Sequence, residues 1–150
     1  MHKIYVDGAY KNGECGIGVY LRNGLNAGDE FSAKIKVGSS VEGELKSIEF
    51  GLLRAYKFGF KDIEIYNDCQ EAVDRFNEGR LEGYFSFSDL VTKFESVKVK
   101  KVDRDSNIGH AYSRDGLLTD FSIGCNQCLK WEIEFLNYCP DCGKNISLRR

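Results

Sequence analysis

Apolar and polar residues alternate along three short stretches early in the chain, 3–7 (KIYVD), 16–22 (GIGVYLR) and 30–37 (EFSAKIKV). Period-two alternation rich in β-branched and aromatic residues predicts strands. Asn12-Gly13 and Asn23-Gly24 between them suit tight turns, so an antiparallel meander is expected. The period then changes: Leu45, Ile48, Leu52, Leu53, Ala55 and Tyr56 recur at helical spacing over 41–58. Ser39 with Glu42 three residues on predicts a capping box at the start of that helix, and Gly59 a stop at its end. Residues 62–67 (DIEIYN) alternate as a fourth strand, and 69–78 reads as a helix ending near Gly79. Residues 86–95 read as another helix, 97–102 (VKVKKV) as a fifth strand and 108–118 as a last helix. The order βββαβααβα predicts a mixed α/β sheet flanked by helices.

Composition narrows the class. With 150 residues, 42% of them hydrophobic and 13% aromatic, the chain can bury one ordinary core, with or without one small appendage. Twenty-one Lys and Arg against 23 Asp and Glu give a net charge of −2, which excludes a polycation; a nucleic-acid partner would need a local patch. No apolar run approaches the roughly 18–20 residues of a membrane span. The start, MHKIYVDG, lacks the apolar core of a secretory signal. A cytoplasmic protein with no membrane partner is therefore expected. Disulfides are rare there, so six cysteines need another use.

Four of the six lie between 125 and 142, together with the only proline, Pro140. That shift in composition divides the chain into 1–119 and 120–150. Cys125-x₂-Cys128 and Cys139-Pro-Asp-Cys142 form a pair of C-x-x-C turns that can present four thiolates tetrahedrally to one Zn²⁺. Four thiolates leave no open coordination position, so this zinc would be structural. The segment resembles a zinc ribbon, in which Trp131, Ile133 and Phe135 alternate with Lys130, Glu132 and Glu134. Nucleic acid or a protein are both open as its partner. Cys15 and Cys69 read as ordinary small buried residues.

Three carboxylates stand at informative places. Asp7 ends the first strand, Glu44 sits in the first turns of the first helix on the border of its inward face, and Asp68 follows the fourth strand. Each has an ordinary structural use: Asp7-Gly8 as a turn, Glu44 as a partner of the helix dipole, Asp68-x-x-Glu71 as an N-capping pair. Strands one and four are commonly neighbours in such a sheet, with the first helix packed across them, so the three carboxylates could converge at one end. Oxygen-only ligands favour Mg²⁺ or Mn²⁺ over zinc. Two such ions about 3.5–4 Å apart clamp an in-line displacement at a phosphodiester.

YVDGAY, the glycine-containing CGIGVYL, GELKSIEFGLLRAYKFG and IEIYNDCQEAV, in this order, resemble the type 1 ribonuclease H family over roughly residues 1–119. The resemblance implies a βββαβαβα fold with 84–96 as an additional short helix, and Asp7, Glu44 and Asp68 as metal-binding carboxylates. The family's fourth metal-binding position is usually Asp. Here RDSNIGHAYSRDGLL resembles the variant with His, which puts His110 in that place and leaves Asp115, five residues on, as the alternative. The chain lacks the family's basic protrusion. Gly8 beside the first carboxylate, and Lys98 and Lys100 on the fifth strand, are candidate substrate contacts. The implied activity is hydrolysis of the RNA strand of an RNA–DNA hybrid by two Mg²⁺ or Mn²⁺ ions. A catalytically silent binding module, or a nuclease of the same fold acting on DNA, are the other expectations.

Overall fold

Ile4 and Val6 on one face of the first strand are fully buried, while Tyr5 and Asp7 face the opposite way. That alternation organises the molecule. The computed structural model describes residues 2–22, 29–81 and 88–118. Its elements are β1 (His2–Lys11), β2 (Glu14–Arg22), β3 (Asp29–Lys36), α1 (Ser40–Lys57), β4 (Asp62–Asn67), α2 (Gln70–Asn77), β5 (Ser96–Lys101) and α3 (Gly109–Leu118). The sheet order is β3-β2-β1-β4-β5: β1, β2 and β3 are an antiparallel meander, and β4 and β5 run parallel to β1. The segment expected to form a zinc ribbon, 120–150, lies outside the described residues, as does the turn expected at Asn23-Gly24. Among the described residues no helix is long and apolar enough to cross a membrane.

The β1–β2 hairpin turns on Asn12 and Gly13, both at positive φ, as a two-residue turn requires. α1 begins as its capping residues predict: Ser39 Oγ accepts the Glu42 amide at 3.2 Å, while the Glu42 carboxylate reaches back to the Gly38 amide rather than to that of Ser39. At its other end the Gly59 and Phe60 amides donate to the carbonyls of Tyr56 and Ala55, closing a Schellman motif. α1 buries Leu45, Ile48 and Leu52 against Ile4, Val6, Ile63 and Ile65 of the central strands, with each such side chain contributing about 1.5–3 kcal/mol.

Two expectations are corrected. Residues 86–95 are not an α-helix: a 3₁₀ helix occupies Ser88–Lys93, and of the side chains described within 86–95 only Leu90 and Phe94 are buried in the core. Short connectors are often wound as 3₁₀ turns, and this one also packs Val91 against the core. The first strand also does not end at Asp7. Its ladder with β4 stops at Tyr5↔Tyr66, but its ladder with β2 continues to Lys11↔Glu14. Asp7 therefore sits inside β1, just where the strand loses its neighbour on one side.

α3 packs on the sheet face opposite α1, directly over the backbone of β2. A Cβ built on Gly18 would lie 2.2 Å from the Ser113 nitrogen and 2.4 Å from the Gly109 carbonyl oxygen. Backbone on both sides leaves nothing flexible to give way. Gly18→Ala is expected to lift α3 and to cost about 3 kcal/mol or more, a fall of roughly 10 °C in melting temperature for a chain of this size. A thermal melt followed by circular dichroism reads it, and a shift under about 2 °C would show that α3 does not depend on this approach.

Candidate metal centre

The end of β1 and the ends of its neighbours leave polar backbone groups unpaired, and the centre is built on those. The Val6 carbonyl, beyond the last β1–β4 pair, accepts from Asn67 Nδ2 at 3.2 Å and from Asn107 Nδ2 at 2.9 Å. Both asparagines are buried. Asn67 Nδ2 also lies 3.3 Å from Glu44 Oε1 and from Ser47 Oγ, while its Oδ1 accepts the Cys69 amide at 2.8 Å. One side chain at the end of β4 thus ties β1, α1 and the start of α2 together.

Glu44, in the second turn of α1, accepts the Gly8 amide on Oε1 at 2.7 Å. A Cβ on Gly8 would come within 2.9 Å of the Gly43 carbonyl carbon and oxygen, so the missing side chain is what lets α1 close on β1. Gly8 lines the pocket described below, but its amide is committed to Glu44. Asp68 lies outside α2, whose N-cap residue is Cys69, so the Asp68-x-x-Glu71 capping pair is not formed. Its carboxylate takes a hydrogen bond from the Asn107 side chain and feels the charge of Arg104. Asp7 is almost fully buried, and Oδ2 accepts from Ser113 Oγ at 2.6 Å and meets His110 Nδ1 at 2.9 Å. An ionised carboxylate can only accept, so Nδ1 carries a proton there and Nε2 keeps its lone pair when the ring is neutral.

Asp7, Glu44 and Asp68 each offer a carboxylate oxygen within 4.8 Å of the others. Burial, then the charges of Asp7 and Asp68, push the Glu44 carboxyl from its ordinary 4.5 up to about 8, against the lowering effect of the Gly8 and Asn67 hydrogen bonds. Burial and the Asp7 charge likewise raise Asp68. Repelling hard oxygen donors in so small a volume suit a divalent cation of the Mg²⁺ or Mn²⁺ kind. They open into a cavity of about 570 Å³ that Arg104, His110 and Arg114 also line. Cys15, behind the centre, is buried, and desolvation with the Glu44 and Asp7 charges pushes its thiol to about 12, leaving it inert at neutral pH.

The structure brings His110 to the carboxylates and leaves Asp115 exposed and away from the cavity lining. Lys98 and Lys100 stay on the open face of β5; Lys100 Nζ is paired with Glu64 Oε2 at 2.7 Å. Asn67, Asn107 and Ser113 escape sequence reasoning. Asn67 leaves one signal, a polar residue on the inward-facing register of DIEIYN.

A 3-2-1-4-5 sheet with three antiparallel strands, carboxylates from β1, α1 and the end of β4, and a closing helix on the far face define a ribonuclease H-like fold. The reverse transcriptase-like family model matches residues 5–109, and the chain belongs to that family. Solved structures agree on the fold. The chain is similar to RNase H1 from the halophilic archaeon Halobacterium salinarum NRC-1, at 23% identity and TM-score 0.65, covering 77% of this chain and 96% of that one. It is similar to the N-terminal RNase H domain of Rv2228c from Mycobacterium tuberculosis, at 19% identity and TM-score 0.67, covering 77% and 92%. It is also similar to LC11-RNase H1, isolated from compost and solved in complex with an RNA/DNA hybrid, at 17% identity and TM-score 0.67, covering 79% and 100%. No curated protein sequence matches it.

Proposed function

We propose that the protein is a divalent-metal-dependent endonuclease that hydrolyses the RNA strand of RNA–DNA hybrids. The observation that carries this reading is the meeting of Asp7, Glu44 and Asp68 oxygens within 4.8 Å at the floor of an open cavity. The hybrid complex of LC11-RNase H1, a structure of similar fold, supports the choice of substrate. Asp7, Glu44 and Asp68 would hold two Mg²⁺ or Mn²⁺ ions, with His110 in the fourth place and Asp115 too far along α3 to replace it. Such ions supply a water nucleophile at neutral pH and stabilise the leaving 3′-oxygen.

The chain's own groups set the rest. The Gly8 amide and Asn67 hold the Glu44 carboxylate, and Ser113 and His110 hold that of Asp7. Hydrogen bonding of Nδ1 to a carboxylate orients the ring and makes Nε2 the donor atom that faces a ligand, the usual arrangement at metal-bound histidines. Arg104 and Arg114 at the cavity can meet phosphate oxygens that the carboxylates would otherwise repel. Gly8, Lys98 and Lys100 are the further substrate contacts in this reading; Lys98 and Lys100 would meet backbone phosphates outside the cavity. RNA would be chosen through 2′-hydroxyl contacts in the wide minor groove. Residues 1–119 form the nuclease domain and 120–150 a ribbon in which Cys125, Cys128, Cys139 and Cys142 hold one structural Zn²⁺ and which meets nucleic acid or a protein. The working compartment is the cytoplasm.

The test is cleavage of an end-labelled RNA–DNA hybrid in Mg²⁺ and separately in Mn²⁺, beside matched RNA–RNA and DNA–DNA duplexes. Hybrid-only cutting supports the reading. Cutting of the DNA duplex would move the activity to DNA, and tight hybrid binding without cutting in either metal would leave a binding module. In the same assay His110→Ala is expected to lower the rate about 10- to 100-fold; an unchanged rate would remove His110 from the centre.

A further inference from the structure

α3 covers the sheet face opposite α1 over β1, β2 and β3, and its Tyr112 ring stacks on Tyr20 with centroids 6.0 Å apart. Beyond Tyr20 the same face continues over β4 and β5, where Lys98 and Lys100 stand exposed. Pairing in register sets two rows of side chains across it: Tyr20, Tyr5, Tyr66 and Lys100, then Arg22, Lys3, Glu64 and Lys98. Arg22 and Lys3 are exposed as well, whereas Glu64 is only 8% exposed. Its carboxylate accepts from Lys100 Nζ at 2.7 Å and from the Tyr66 hydroxyl at 2.8 Å, with Lys3 and Lys98 on its two sides in register. One acid thus spaces three ammonium groups that would otherwise repel.

We propose that this open face is a second nucleic-acid surface, on which Arg22, Lys3, Lys98 and Lys100 hold the phosphate backbone of a duplex as it leaves the cavity, while Glu64 limits their grip. The inference rests on the nuclease reading of the cavity and extends it to a surface outside. Charge complementarity selects the occupant: four bases stand against Glu64 and Asp62 on this face of a chain whose net charge is −2. The face is continuous with the cavity. Asp7, Tyr5 and Lys3 share one side of β1 at steps of about 6.8 Å, and Arg104, at the cavity, follows β5 three residues after Lys101. Bases are not read here. Tyr5 and Tyr66 stack on each other at 5.1 Å, the Tyr66 hydroxyl is bonded to Glu64, and lysine contacts to phosphate carry no sequence information.

The test is the salt dependence of binding to a labelled RNA–DNA hybrid long enough to extend past the cavity, read by fluorescence anisotropy in a chelator. Lys3→Gln combined with Lys98→Gln is expected to lower the slope of log affinity against log salt by about 2, at roughly 0.9 per phosphate contact. Glu64→Gln keeps an acceptor for Tyr66 and frees Lys100, so it is expected to tighten binding and steepen the slope by about 1. Lys57→Gln with Lys61→Gln makes the same charge change at and beyond the end of α1, and its slope is expected to stay within about 0.5 of wild type. Thermal melts confirm that each variant is folded. An unchanged slope in the Lys3 and Lys98 variant overturns the proposal. Equal changes in the two double variants also overturn it, because net charge alone would then account for them, as does weaker binding by Glu64→Gln. Hybrid cleavage by the same wild-type preparation separates the two readings: cleavage with an unchanged variant slope removes only this surface, whereas neither binding nor cleavage removes the nuclease reading and the surface with it.

Discussion

Replacing Asp68 by Asn is expected to lower hybrid cleavage by about three powers of ten while leaving hybrid binding intact. The carboxylate of Asp68 is half-buried beside Asp7, and an isosteric amide keeps its volume and a hydrogen bond to Asn107 while removing the charge that would hold a cation. Losing the several kcal/mol that metal polarisation gives a phosphoryl transition state corresponds to that factor. Binding should hold or tighten, because one fewer negative charge opposes the phosphates. Asp68 is a cleaner probe than Asp7: truncating Asp7 to Ala would also strip Ser113 and His110 of their acceptor and mix folding with chemistry. Single-turnover cleavage and filter binding on the same preparation separate the two. Activity within about tenfold of wild type would place the chemistry elsewhere.

Glu44→Gln is expected to make the metal-free protein more stable at pH 8 while destroying its response to metal. In the folded protein the Glu44 carboxyl stays protonated up to about 8, whereas in the unfolded chain it ionises near its ordinary 4.5. Between those values the folded state holds the extra proton, so stability falls as pH rises through the window and is greatest below it. Asp68, raised for the same reasons, adds a slope of the same sign. The introduced amide can still accept the Gly8 N–H through its oxygen but carries no charge to repel Asp7. Denaturant unfolding of wild type in a chelator should show lower stability at pH 8 than at pH 5, a flatter profile for the variant, and a gain at pH 8 on adding Mn²⁺ in wild type alone. A wild-type profile that rises from pH 5 to pH 8 would contradict the crowding of these carboxylates.

The sheet is legible in the sequence because its strands obey one rule each. Ile4, Val6, Ile63 and Ile65 alternate with polar neighbours, and α1 declares its period and both of its ends. The connector before β5 is not, because helical spacing over a few residues does not reveal how tightly it will be wound; a 3₁₀ helix at Ser88–Lys93 sets Leu90 in the core with Val91 packed beside it, and Phe94 follows it into the core. The three carboxylates can be named from their motifs, and their convergence follows from β1 lying beside β4. Their supporting groups cannot. Asn107 and Ser113 lie in RDSNIGHAYS, where a serine or asparagine looks like any turn or helix-surface residue. What makes them matter is a carbonyl left bare at Val6 and a carboxylate inside β1, both products of where one ladder stops and the other continues.

The bonds from Asp7 to His110 and Ser113 join residues 103 and 106 positions apart. At synthesis rates of roughly 5–20 residues per second, Asp7 leaves the peptidyl-transfer centre about 5–20 s before its partners exist. During that interval β1 and β2 can pair and α1 can dock, since those contacts are nearer in sequence, but the carboxylate has neither of its donors. Closing so long a loop is also the slowest kind of contact for a folding chain to make. The carboxylate of Asp7 therefore waits longest of the three for its partners, and a message cut short before α3 leaves it without either donor.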